Sequence, residues 1–199
     1  MDLGFDGKVA LVAAGSRGIG RSTALQLSKE GAAVAVCARG QEDLMRTVND
    51  LPGPSIGVEA DVTEQSDVEQ FVEDTLAAFD QIDVLVNNAG GPPSGGFEGV
   101  SSADFEEAVE LNLMSTINLT KKALPYLKEG DWGRIINITS ISAKEPIDGL
   151  VLSNTSRAGV LGAAKTLSRE IADSNVTVNS VLPGLTGTER LKSLMEDRA

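Results

Sequence analysis

Gly15-Ser16-Arg17-Gly18-Ile19-Gly20 sits between the apolar run Lys8 to Ala13 and a segment with helical apolar periodicity. Those residue types at that spacing suit a phosphate. Gly15 permits a tight turn, Gly18 lets the backbone approach a pyrophosphate with no Cβ in the way, and Gly20 lets the following helix pack closely on its strand. The free N–H groups and positive dipole end of that helix favour an anion. A glycine-rich turn can also be a plain connector. A strand-loop-helix setting at the start of a chain that alternates strand and helix favours a dinucleotide site instead.

Other chemistries are excluded by what is missing. The chain has no histidine, which removes the commonest general base and metal ligand, so neither a Ser-His-Asp hydrolase nor a His-ligated metal site is expected. The single cysteine, Cys37, lies inside the apolar run Ala33 to Ala38 and reads as buried packing. No metal site is expected.

The elements that must position the loop follow from periodicity. Apolar, β-branched runs recur at 8–13, 33–38, 55–60, 82–87, 133–139 and 176–182, and helical periodicity fills about 18–30, 41–50, 64–79, 101–129 and 151–173. Thr63 and Ser101 or Ser102 are candidate N-caps. Near-continuous apolar strands predict a parallel sheet covered on both faces. Right-handed crossovers then make it a doubly wound, three-layer α/β/α sheet of the Rossmann type. Ligands of such sheets sit at the carboxyl ends of the strands. The segment Gly90 to Gly96 lies at that edge and reads either as a connector or as a pocket rim.

With 199 residues the chain is expected to form a single domain over 1–199. It has 41% hydrophobic and 23% charged residues, and no long apolar run or leader pattern, so a soluble, cytoplasmic protein is expected. A formal charge of −12 argues against nucleic acid or an anionic membrane as partner. The same acidity suits either a high-salt source or an ordinary acidic cytosolic protein.

Taken together, the glycine loop, Asp61, Asn87-Asn88-Ala89-Gly90, Asn112, Ser140 and Pro183-Gly184 resemble the short-chain dehydrogenase/reductase family from about residue 5 to 188. Within it the chain is most similar to the 3-oxoacyl-[acyl-carrier-protein] reductase type. The resemblance implies an oxidoreductase that reduces a carbonyl with a nicotinamide cofactor. Gly15, Ser16, Arg17, Gly18, Ile19 and Gly20 would hold the pyrophosphate and adenosine ribose, and Asp61 and Val62 the adenine. Asn87, Ala89 and Gly90 would pass beside the ribose, while Pro183, Gly184 and Thr188 would approach the nicotinamide carboxamide. Where an Asp after the second strand would bond a ribose 2′-OH, this chain has Ala38-Arg39, with Arg17 in the loop. Two guanidinium groups suit a 2′-phosphate, so NADP(H) is expected over NAD(H). The family also implies a small-molecule or acyl-carrier-linked carbonyl substrate and a homo-oligomer, dimer or tetramer, pairing helices 101–129 and 151–173.

Two departures stand out. The family's Tyr-x-x-x-Lys pair is replaced by Ser153-Asn154-Thr155-Ser156-Arg157, thirteen residues after Ser140. Serine is far less acidic than a phenol and shorter, so a bridging water would help it reach the same oxygen. Arg157 keeps the charge and could bond nicotinamide ribose hydroxyls, but it does not shuttle a proton. The only tyrosine, Tyr126, is expected far from the strand carboxyl edge. The family also continues beyond the equivalent of Thr188 into a helix pair, a last strand and a tail, whereas this sequence stops at Ala199, so that last strand is expected to be missing. Two functions remain in view. One is an atypical reductase using Asn112, Ser140, Ser153 and Arg157; the other is a dinucleotide-binding sensor or inactive partner subunit.

Overall fold

The computed structural model describes residues 3–189, 191 and 192. Strands β1 (Val9–Val12), β2 (Ala33–Ala38), β3 (Ser55–Glu59), β4 (Val84–Asn87), β5 (Gly133–Ile138) and β6 (Val176–Val181) form a six-stranded sheet in the order β3-β2-β1-β4-β5-β6. Every pair is parallel, with Val12 opposite Val36 and Val86, and Asn87 opposite Asn137. The order turns back between β1 and β4, which opens a crevice at their carboxyl ends.

Alternation within the central strands feeds two separate cores. Ala10, Val12, Val34 and Val36 face the layer of α1 (Gly18–Lys29) and α2 (Gln41–Asp50), against Ala24, Leu27 and Leu44. Leu11, Ala35, Cys37 and Leu85 face α3 (Gln65–Phe79) and α5 (Ser115–Leu127), against Phe71, Val72, Leu119 and Ala123. Burial on both sides is why these strands read as unbroken apolar runs. The outer strand differs: Thr177, Asn179 and Val181 of β6 point to an exposed face.

Burial pushes the Cys37 thiol up to about 12, so this group is packing and not a nucleophile at neutral pH. At the opposite, amino-terminal edge, Trp132 meets Phe5 edge-on and lies beneath the Lys8 and Arg134 cations. Tyr126 is in the last turn of α5 and packs against the core at that same edge, as the sequence leads one to expect.

Two expectations need correction. Thr63 does not cap α3: the N-cap is Glu64, without a side-chain hydrogen bond, and the Thr63 hydroxyl instead donates to Asp61 Oδ1 at 2.8 Å. The stretch 101–129 is not one regular helix. Ser101 caps α4 (Ser102–Val109) with a reciprocal Ser101–Asp104 capping box, a wider π-type turn follows at Glu110–Met114, and α5 then resumes. The last helix, α6 (Val151–Glu170), starts where Gly95 bridges to Leu150.

Candidate functional site

The glycine loop leaves β1 through Ala14, whose φ of 45° is left-handed although it carries a Cβ. The left-handed residue of the tight turn is Ala14, and Gly15 follows it within the turn. Gly15 is needed for another reason, since a Cβ there would lie 2.5 Å from Val36 Cγ1. Asn88 holds the strained residue, its amide donating to the carbonyls of Ala13 at 3.2 Å and Ala14 at 3.1 Å. Gly18 has φ +54°, and Gly20 approaches so closely that a Cβ would meet Ala14 O at 2.5 Å and Asn88 Nδ2 at 2.7 Å. Thr188 is brought against Gly18, where a Cβ would find Thr188 Cγ2 at 3.4 Å. Ser16 is fixed by its carbonyl, which accepts from Thr47 Oγ1 of α2 at 3.1 Å, and the Ile19 carbonyl accepts from Thr23 Oγ1 at 2.8 Å.

A dinucleotide phosphate fits this loop. No side chain caps the N-terminus of α1 and no acidic residue stands in its first turn, so its amides face the crevice end without a competing anion of their own. After β2, Arg39 is paired with Asp61 at 3.6 Å, while Arg17 is paired with Asp43 of α2. Burial alone would raise the Asp61 carboxyl. The N–H and hydroxyl of Thr63 and the Arg39 guanidinium outweigh it and hold Asp61 below the usual carboxylate range. Val62 follows and, with Ala13, Asn87, Asn88 and Leu119, lines a shallow surface depression.

Asn87 is buried at the end of β4 and ties three elements, its amide donating to Thr120 Oγ1 at 2.9 Å and Asn137 Oδ1 at 2.8 Å. Its own Oδ1 has no partner in the structure. Ala89 and Gly90 continue along the edge, and the Gly90 carbonyl accepts from Asn112 Nδ2 at 2.8 Å and from Arg157 Nη2 at 3.4 Å. Asn112 occupies the π-type turn, which aims its amide out of the helix toward Gly90, and Ser156 Oγ donates to Asn112 Oδ1 at 3.2 Å. Such turns recur at functional sites.

Ser140 ends β5. Its Oγ accepts from the Ser142 amide at 3.1 Å, which leaves the hydroxyl proton free to be donated elsewhere. The next amide, Ile141 N, donates to Pro183 O at 3.0 Å and brings Pro183-Gly184 beside the serine. Ser153, in the first turn of α6, meets Ser142 Oγ at 3.4 Å. Ser142 is 1% exposed, and sequence reasoning missed it because a second serine in a short turn carries no signal of its own. Asn154 clamps the approach to α6, donating to Ile147 O at 3.0 Å and accepting from Ile147 N at 3.2 Å. Arg157 is buried, and its guanidinium donates to the carbonyls of Ile138 at 3.3 Å and Thr139 at 3.1 Å as well as Gly90. It therefore braces the ends of β5 and the loop after β4.

A parallel sheet with its glycine loop after β1 and a hydroxyl-lined edge after β5 is a doubly wound α/β arrangement of the Rossmann type. Residues 8–199 match the family described as short chain dehydrogenase, and the chain belongs to it. The 3-oxoacyl-[acyl-carrier-protein] reductase FabG of Staphylococcus epidermidis is 34% identical over 194 residues, covering 96% of this chain and 80% of that one. Among solved structures, levodione reductase superposes with a TM-score of 0.94 at 26% identity, covering 98% of this chain and 78% of that chain. A NAD+-bound xylitol dehydrogenase gives 0.87 at 27% identity, covering 91% and 71%. Among the described residues no helix is long and apolar enough to cross a membrane, and no His, Cys, Asp or Glu cluster could hold a metal ion.

Proposed function

We propose that this chain is an NADP(H)-dependent reductase of carbonyl compounds, with a 3-oxoacyl thioester as the substrate class favoured by its similarity to the FabG protein. The observation that carries the reading is Ser140. Its oxygen is anchored by the Ser142 amide, so its proton is left for a carbonyl oxygen at the open edge of the sheet. When bound, the nicotinamide would supply the hydride that the carbonyl carbon takes up. Gly15, Ser16, Arg17, Gly18, Ile19 and Gly20 would hold its phosphates, Arg17 and Arg39 the 2′-phosphate, and Asp61 and Val62 the adenine. Asn87, Ala89, Gly90, Pro183, Gly184 and Thr188 would line the remaining length.

Ser153 donates the proton that the carbonyl oxygen requires, directly or through one water, and Ser142 Oγ at 3.4 Å supports it from behind. A serine hydroxyl is a weaker acid than a phenol, and acid–base assistance is typically worth about 10²–10⁴-fold, so a slow reductase is expected. Asn112 and Arg157 act by position, holding Gly90 and the end of β5. By family analogy the protein works in the cytoplasm as a homo-oligomer.

One observation favours a second reading. The Arg157 guanidinium is turned onto main-chain carbonyls, which suits a dinucleotide-binding sensor or an inactive partner subunit as well as a catalyst. Steady-state oxidation of NADPH with a panel of ketones and 3-oxoacyl thioesters separates the two. Turnover that drops at least tenfold in Ser153→Ala supports the reductase. Nucleotide binding with no turnover across the panel supports the sensor.

A further inference from the structure

We propose that Asp43 sets how strongly the adenosine end of the site discriminates a 2′-phosphate from a free ribose hydroxyl, by holding the Arg17 guanidinium when no phosphate is there. This rests on the dinucleotide reading above and concerns a residue outside the glycine loop and the strand ends. One face of α2 docks on the loop and on α1: Asp43 pairs with Arg17, Thr47 Oγ1 donates to Ser16 O, and Asp50 pairs with Arg21. Positions 43, 47 and 50 share that face by helical spacing, and Asp43 is its member that holds a charged side chain of the phosphate loop.

Both carboxylate oxygens of Asp43 are engaged, one by Arg17 and the other by Arg46 Nη1 at 2.8 Å. Its side chain is 19% exposed whereas that of Arg17 is 73% exposed. A carboxylate and a phosphate present similar oxygen pairs to a guanidinium fork, so a 2′-phosphate reaching Arg17 competes with Asp43 for the same donors. Arg46 is drawn into the corner by Asp43 and by Glu42 at 2.9 Å, as a further guanidinium. Acidic groups match or exceed the cations there: Arg17, Arg39 and Arg46 face Glu42, Asp43 and Asp61, and Glu189 also lies within electrostatic reach of Arg17. A phosphate thus enters a corner with no excess of positive charge. The Arg17 end of the pair is solvent-exposed, so the guanidinium can exchange one anion for another while Asp43 stays half-buried.

The test is titration calorimetry of the whole protein with adenosine 2′,5′-bisphosphate and with 5′-AMP, comparing wild type with Asp43→Asn, alongside thermal melts. Asp43→Asn is expected to tighten the bisphosphate about three- to tenfold, to leave 5′-AMP unchanged, and to lose that gain as salt is raised. If Asp43 only staples α2 to the loop, the variant lowers Tm and weakens both nucleotides together, which overturns the proposal. Unchanged bisphosphate affinity in the variant overturns it too, with the cofactor reading left standing. A wild type that binds neither nucleotide overturns both.

Discussion

At position 14 an alanine sits where the backbone asks for glycine. Its φ of 45° is held by the Asn88 amide, so the strain is met by a neighbour and not relieved. Ala14→Gly is expected to raise unfolding stability by about 1 kcal/mol in urea melts. Arg157 works in the opposite sense, since three buried or half-buried carbonyls depend on its fork. Arg157→Met should cost about 1–3 kcal/mol by the same measurement, with Arg157→Lys recovering only part, because an ammonium lacks the planar fork. The Asp61 carboxyl is held below its ordinary value, so its contribution to stability is complete above the usual carboxylate range and is lost as pH falls through the lowered value. Asp61→Asn should therefore lower Tm at neutral pH and flatten the loss of Tm on acidification below about pH 4.

Among elements, the sheet was legible and the wide turn in the helix region was not. Strands buried on two faces leave unbroken apolar runs, and all six lie where periodicity puts them to within a few residues. The N-cap was readable as Ser101 or Ser102, and it is Ser101, with Asp104 completing a capping box. Ser101→Ala is expected to cost about 1 kcal/mol in urea melts. The π-type turn at Glu110–Met114 inserts no glycine or proline and so interrupts no pattern, yet it is what aims Asn112 at Gly90. The candidate site shows the same division. Loop residues with a backbone requirement, such as Gly18 and Gly20, announce themselves by type. Ser142, Asp43 and Asn154 act through contacts with segments removed in the chain or folded back on themselves, and nothing local marks them.

Over the whole molecule, the proposed function joins a candidate nucleotide edge to Ser153, which stands where the family resemblance implies a tyrosine. Its formal charge of −12 is spread over an exposed surface whose ion pairs are mostly weak. Self-repulsion should be relieved by screening, so Tm is expected to rise as sodium chloride is raised from low ionic strength toward the physiological range. The central claim is that hydride transfer survives with a serine in place of the phenol. The measurement that reaches it most directly is NADPH consumption matched to alcohol formation by mass spectrometry, for wild type and Ser153→Ala with a 3-oxoacyl thioester. One alcohol is expected per NADPH consumed, at a rate that falls at least tenfold in the variant. Tight NADPH binding with no alcohol formed by the wild type would contradict it.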